Sequence, residues 1–126
     1  MSEDEISKLV FESALKVHKT LGPGLLESAY EECLFYELKK LDLKVEKQKP
    51  LPLIYEDVKM DVGYRIDIIV EEKFIIEIKS VEALNDVHLA QILTYLRLSD
   101  CKLGMLINFN VKLLKNGVRR VINGKL

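Results

Sequence analysis

Gly63-Tyr-Arg-Ile-Asp-Ile-Ile-Val-Glu-Glu-Lys-Phe-Ile-Ile-Glu-Ile-Lys-Ser80 is the stretch that decides the fold. Tyr64, Ile66, Ile68 and Val70 alternate with Arg65, Asp67 and Ile69. After Glu71-Glu72-Lys73, Phe74, Ile76 and Ile78 alternate with Ile75, Glu77 and Lys79. Side chains on a strand point to opposite faces with period two, so the pattern predicts two strands, each with one apolar and one mixed face. Both apolar faces belong in the same core. Residues directly opposite each other share a face, which pairs Val70 with Phe74 and Ile66 with Ile78. Glu71 to Lys73 then form a three-residue connection, because a two-residue turn would expose one apolar face to water. The same register sets Asp67 opposite Glu77 and Arg65 opposite Lys79.

Two carboxylates ~5 Å apart repel, and each titrates upward unless positive charge sits between them. Mg²⁺ (or Mn²⁺) meets that need, since it takes hard oxygen ligands and is typically held by one or two carboxylates plus waters and phosphate oxygens. The backbone carbonyl of Ile78 is a candidate further ligand. Lys79, on the face of Glu77, is placed to activate water or to stabilise charge developing on a phosphate. The plainer alternative is a cross-strand salt-bridge cluster of Arg65, Asp67, Glu77 and Lys79 on a solvated face.

An Asp on one strand followed by Glu-x-Lys on the next resembles the core of the PD-(D/E)XK nuclease superfamily. Gly24-Leu-Leu-Glu27-Ser-Ala-Tyr30 resembles the motif that names the GxxExxY protein family, which is placed in that superfamily. Leu21-Gly-Pro-Gly24, Gly63 to Asp67, Ile76 to Lys79, His88-Leu-Ala-Gln91 through Tyr95, and Gly104 to Asn110 resemble further stretches of it, in order over nearly the whole chain. The resemblance implies an α/β fold with a restriction-endonuclease-like core, a mixed sheet of four or more strands flanked by helices, and a divalent-metal site. It further implies that Glu27 joins Asp67 and Glu77 at the metal and that Gln91 orients substrate or water. Tyr30, Arg65, His88 and Tyr95 are candidate substrate contacts. Each has an ordinary structural reading as well. Glu27 suits the positive end of a helix dipole, Tyr30 suits the core, His88 the surface, and Gln91 with Tyr95 form an i, i+4 pair able to hold a loop.

The rest of the chain sets limits. With 126 residues, 48% of them hydrophobic and 31% charged, it has the length and composition of one ordinary globular domain. No apolar run approaches the ~20 residues of a membrane span, and the acidic start Met1-Ser-Glu-Asp-Glu is no signal peptide, so a cytoplasmic protein is expected. Cys33 and Cys101 are too few for a disulfide framework and fit buried thiols. The net charge of −1 gives no general attraction to a polyanion. Its distribution is uneven: 3 basic and 8 acidic residues lie between Met1 and Glu37, against 7 basic and one acidic from Arg97 to Leu126. The basic end suits a phosphate backbone or a solvated edge that resists aggregation.

In chain order, Ile6, Leu9, Val10, Ala14, Val17 and Leu21 recur with helical period over about residues 3–20, and Ser2 with Glu5 fits a capping box. Leu21-Gly-Pro-Gly24 turns the chain. A second helix is expected to about Leu41, burying Leu26, Tyr30, Cys33, Leu34, Leu38 and Leu41. His18, near the first helix's end, suits a capping role. Val45 to Lys49 reads as a strand and Leu51 to Tyr55 as its continuation or a second piece, confined to a sheet edge or bend by Pro50 and Pro52, with Glu56 to Asp61 as a polar turn. A third helix, about Val87 to Leu98 and capped by Asn85 or Asp86, is expected to bury Val87, Ala90, Leu93 or Thr94, and Leu98. Leu103 to Phe109 fits an interior strand, and Val118 to Ile122 a last strand.

The leading expectation is a Mg²⁺-dependent nuclease hydrolysing phosphodiester bonds in DNA or RNA, with nucleic acid as partner and a homodimer as an analogy with small nuclease domains. The runner-up is a non-catalytic domain of the same fold that binds nucleic acid or a protein, favoured by near-neutral charge and the lack of an obvious aromatic stacking surface. An enzyme of small phosphate esters ranks last, since Gly22-Pro-Gly24 lacks the Gly-Lys-Ser/Thr of a phosphate loop.

Overall fold

In the computed structural model of residues 1–126, the alternating stretch becomes the middle of a five-stranded sheet. The elements in order are α1 (Glu3–Leu21), α2 (Glu27–Lys39), β1 (Val45–Pro50), β2 (Leu53–Tyr55), β3 (Val58–Met60), β4 (Arg65–Val70), β5 (Phe74–Lys79), α3 (Asp86–Leu98), β6 (Leu103–Asn108) and β7 (Val118–Ile122). The large sheet runs β1-β4-β5-β6-β7, and β2 with β3 forms a separate hairpin. Every neighbouring pair in the large sheet is antiparallel except β5 and β6. A parallel pair needs a long crossover, and α3 supplies it. This is the mixed sheet flanked by helices that the sequence predicts.

Two cores form, one on each face. α1 and α2 bury Ile6, Val10, Ala14, Tyr30, Leu34 and Leu38 against Ile68, Val70, Phe74, Ile76 and Ile78. α3 buries Ile92, Tyr95 and Leu96 against Ile69, Ile75 and Leu106. Strands covered on both faces read as near-continuous apolar runs, as Phe74 to Ile78 and Leu103 to Ile107 do. Each buried Ile, Leu or Phe contributes about 1.5–3 kcal/mol. These two strands are therefore the rigid platform on which Glu77, the one charged residue inside them, is carried.

The connection Glu71-Glu72-Lys73 has the expected length. Glu71 and Glu72 take φ of 53° and 57°, and the Lys73 N–H closes the turn on the Val70 carbonyl at 3.1 Å. Val70 pairs with Phe74, and the ladder continues through Ile69–Ile75 to Ile68–Ile76. There it stops. The expected Ile66–Ile78 pair is not made, and Ile66 packs in the α3-side core while Ile78 packs under α1 and α2. The β1–β4 ladder is broken at the same place: Lys47 pairs with Ile68 and Lys49 with Ile66, but Gln48 takes φ 53° and skips Asp67.

Three further expectations need correction. Val58–Met60, expected as turn, is a strand paired with Leu53–Tyr55, because Glu56 and Asp57 adopt φ of 49° and 65° and make a tight two-residue hairpin turn. α2 ends at Lys39 and leaves Leu26 and Leu41 exposed. α3 is rotated from its expected face, so that Ile92, Tyr95 and Leu96 are buried while Val87 is 75% exposed. Its sequence offers two apolar stripes, and periodicity alone cannot choose between them. α1 matches its expectation, including the capping box between Ser2 and Glu5.

Candidate functional site

The site lies where β4 parts from β5 and its ladder with β1 skips one residue. The Glu77 carboxylate accepts the Asp67 N–H at 2.8 Å, and the Asp67 carboxylate accepts the Ile78 N–H at 2.8 Å. Each acid thus takes over a ladder bond between the two strands, and a side chain stands where a carbonyl would be. Asp67 and Glu77 meet as the register predicts, but through this exchange rather than through a regular pair. Glu77 is only 4% exposed.

Burial sets their charge state. Glu77 is pushed up to about 8, first by burial and then by the neighbouring Asp67. Asp67 is raised too, chiefly by burial, although the Ile78 N–H and Lys79 oppose the rise. The two therefore resist holding two negative charges near neutral pH unless a cation shares the space. No ion pair supplies one: neither Lys79 nor Arg65 forms a salt bridge with these carboxylates. The Lys79 ammonium instead points to the Gln91 side-chain oxygen at 3.4 Å. That removes the salt-bridge-cluster reading of the four residues. Arg65, at the exposed start of β4, lies beyond the last β4–β5 pair and has no ordered partner opposite Lys79.

Gly24, Glu27 and Tyr30 work as one device that holds the start of α2 against the end of β5. Gly22 and Gly24 take φ of 68° and 95°, which a side chain would strain, and so turn the chain sharply after α1. The Tyr30 hydroxyl donates to the Gly22 carbonyl at 2.6 Å and accepts the Leu25 N–H at 3.1 Å, while its ring stacks on Phe109 at 4.5 Å. Ser80 then joins this loop to the strand. Its hydroxyl donates to the Leu25 carbonyl at 2.6 Å, and its N–H donates to the Glu27 carboxylate at 3.1 Å. Tyr30 is fully buried with both faces of its hydroxyl occupied, so it is a core residue and not the substrate contact it was a candidate for. Glu27 stays exposed, and its charge contributes to the raised titration of Asp67.

The remaining candidates divide. Gln91 is brought to the site by its bond to Lys79. Tyr95 is buried beneath it, its hydroxyl titration pushed up to about 12 by burial and then by Glu77. His88 is tied into the start of α3, where its Nδ1 accepts the Asn85 N–H at 3.2 Å. Asn108 and Asn110 clamp the segment after Ser80. The Asn108 side chain accepts the Val81 and Asn110 N–H groups at 3.1 Å, and both asparagines donate to the Val81 carbonyl.

Two residues at the site were not singled out from the sequence. Gln48 donates to Glu31 at 2.7 Å and to Asp67 at 3.3 Å. Glu31 is raised by burial and then by Asp67. A signal for Glu31 was present, since it lies one turn after Glu27 on the same helix face. Gln48 had none, because its place depends on a left-handed backbone residue inside β1.

The family model of the PD-(D/E)XK nuclease superfamily matches residues 4–121. The chain belongs to the PD-(D/E)XK nuclease superfamily. No curated protein and no solved structure matches it significantly. PD-(D/E)XK nucleases typically use divalent metals, and the donors here fit one. Asp67 and Glu77 offer hard, partly buried oxygens whose mutual repulsion a dication would relieve. No three Asp, Glu, His or Cys side chains converge as they would in an all-protein cage. A cation at this PD-(D/E)XK site would draw the rest of its shell from water and phosphate, as Mg²⁺ commonly does. No helix is long and apolar enough to cross a membrane.

Proposed function

We propose that this chain is a divalent-metal-dependent nuclease of the GxxExxY type, hydrolysing phosphodiester bonds in DNA or RNA. In this reading the Asp and the Glu-x-Lys of the superfamily correspond to Asp67 and Glu77-Ile78-Lys79, and Gly24, Glu27 and Tyr30 to the subfamily motif. The observation that carries it is the pair of hydrogen bonds that holds two mutually repelling carboxylates together, the buried Glu77 on the Asp67 N–H and the half-buried Asp67 on the Ile78 N–H, each at 2.8 Å.

Asp67 and Glu77 would hold Mg²⁺ or Mn²⁺, with Glu27 at the rim of the same acidic group. When bound, the cation supplies Lewis-acid polarisation of the phosphate and of the attacking water. The hydrolysis itself adds water oxygen to phosphorus and breaks one P–O ester bond, whose oxygen leaves with a proton. Lys79 carries positive charge toward the phosphate oxygens where negative charge accumulates. Gln91 holds Lys79 through its oxygen, which leaves its amide N–H groups to orient water or phosphate. Burial of Glu77 keeps bulk water from screening its charge.

Calorimetric titration of Mn²⁺ into the wild type and an Asp67→Asn variant, followed by incubation of both with labelled single-stranded and duplex oligonucleotides, tests the reading. We expect saturable binding in the wild type, its loss in the variant, and a drop in cleavage of about 100-fold or more, the cost of removing a principal electrostatic group. Equal metal binding by both proteins, repeated with oligonucleotide present, would remove the mechanism.

A further inference from the structure

A groove next to Lys79 and Gln91 is lined by Leu53, Tyr64, Val87, Ala90, Gln91, Thr94 and Tyr95, and encloses about 310 Å³. We propose that this groove is the seat of an unstacked nucleobase, and that the substrate of the site is single-stranded nucleic acid. The inference rests on the phosphodiesterase reading and names its substrate class.

Three observations carry it. The first is the character of the walls. None of the seven residues is charged, and two are tyrosines whose ring centroids lie 6.0 Å apart at 52°. That spacing leaves no room for a base between the rings. Tyr95 is buried and backs Tyr64, while Tyr64 is 43% exposed and presents its ring outward. An open ring held by a second ring is a stacking platform, which every base can use.

The second is position. Gln91 lines the groove and also holds Lys79, while Tyr95 lines it and lies in the field of Glu77 and Asp67. The charged end receives a phosphate and the uncharged end receives what a phosphate carries one sugar away.

The third is the surface left uncovered. Val87, Ala90, Gln91 and Thr94 form the outer face of α3, and the sequence pattern would have buried much of it. The β2–β3 hairpin continues that surface. Leu53 lines the groove, Met60 is its cross-strand partner, and Tyr55 and Val58 lie on the same face by register. Tyr55, Val58 and Met60 are all exposed. The result is an apolar track that adds a second exposed tyrosine, Tyr55, to Tyr64. A base within a duplex has both faces covered by its neighbours and cannot stack there, whereas the bases of a single strand can.

The test uses the full chain without added metal, so that cleavage does not intervene. Single-stranded DNA and RNA oligonucleotides carrying 2-aminopurine, the same sequence as duplex, and a single strand with abasic sites are titrated against wild type and Tyr64→Leu. Leucine keeps apolar volume but has no ring. The expected result is quenching of 2-aminopurine on binding the wild type, weaker binding of the duplex and of the abasic strand, and a roughly 5- to 150-fold loss of affinity with loss of quenching in Tyr64→Leu. DNA and RNA compared side by side show which sugar is preferred. Equal binding of base-containing and abasic strands, or an unchanged Tyr64→Leu, overturns the proposal. So does a change of oligomeric state in Tyr64→Leu with unchanged oligonucleotide binding, since the groove would then seat a second copy. Mn²⁺ calorimetry on Tyr64→Leu shows that the variant is folded and its acidic pair intact. Metal binding without base dependence rejects the groove alone, and base dependence in a protein that binds no metal rejects the phosphodiesterase reading alone.

Discussion

Replacing Glu77 by Gln should make the metal-free protein more stable at alkaline pH. The glutamine keeps an oxygen to accept the Asp67 N–H, which the native carboxylate accepts at 2.8 Å, and removes only the charge. In the native fold Glu77 titrates at about 8, against 4.5 for an unperturbed glutamate. Between those values the folded state binds more protons than the unfolded chain, so stability falls as pH rises. The contribution is complete below 4.5 and gone above about 8. At ~1.4 kcal/mol per pH unit the loss is about 5 kcal/mol, and it belongs to the coupled Asp67–Glu77 pair as a whole. Asp67 is also raised and acts in the same direction. The lowered groups Glu5, Glu37 and Glu72 are surface carboxylates whose contribution is already complete above about 4.5, so they leave this window flat.

Urea denaturation followed by circular dichroism, in a chelator at pH 5.5 and 8.5, measures the difference, since the chain has no Trp to follow by fluorescence. The wild type should lose several kcal/mol between the two pH values and Glu77→Gln clearly less, the remainder coming from Asp67 and Glu31, which burial raises in both proteins. The variant also serves as the control for every other group that titrates there, the two histidines included. Added Mn²⁺ should restore the wild type at pH 8.5 by mass action and leave the variant unchanged. A wild type whose metal-free stability is flat or rises from pH 5.5 to 8.5 would refute the reasoning about the buried pair.

Two substitutions test the supports of the site. Gly104→Ala places a Cβ 2.9 Å from the Ile75 carbonyl and 3.2 Å from the Ile92 and Leu96 side chains, so β6 must shift against β5 and the α3 side chains must give way, at a cost of about 1–3 kcal/mol. Urea denaturation reads the loss, and unchanged stability would mean that β5 and β6 do not approach this closely at Gly104. Tyr30→Phe removes the hydroxyl that joins Gly22 to Leu25. It should cost about 1–3 kcal/mol and speed hydrogen exchange at Leu25 and Ser80, and exchange confined to Leu25 would show that the loop is not coupled to β5.

The sequence carried the fold class and the β4–β5 hairpin because apolar alternation dominates that stretch. A one-residue slip between β4 and β5 would have moved Ile69 and Ile75 out of one core and Val70 and Phe74 out of the other, so the register was decided near the turn. It was lost two residues further on, where Asp67 and Glu77 replace a ladder pair by side-chain bonds that no hydrophobic pattern encodes. The α3 face was misjudged for a related reason: Val87 and Ala90 are apolar by type, yet they face a groove instead of the core. The contact between Tyr64 and Tyr95 was not legible because the two lie on different elements and meet only once α3 is turned to bury Tyr95.

These departures share one cause. β5 is covered on both faces, and a buried carboxylate there must have its acceptors filled. The nearest donors are the amides of β4 and β5 themselves, so Glu77 takes the Asp67 N–H and Asp67 takes the Ile78 N–H. Once those amides point at side chains, β4 cannot continue its ladder, and the strands part at the depth of the acidic pair. Parting lets Ile66 drop to the α3 side and carries Tyr64 against Tyr95. The same two bonds that hold the carboxylates together thus lead to the groove beside them. A change that closed the β4–β5 ladder would remove the acidic pair and the aromatic platform in one step. Regular alternation and an open site are alternatives at Asp67, and this chain takes the second.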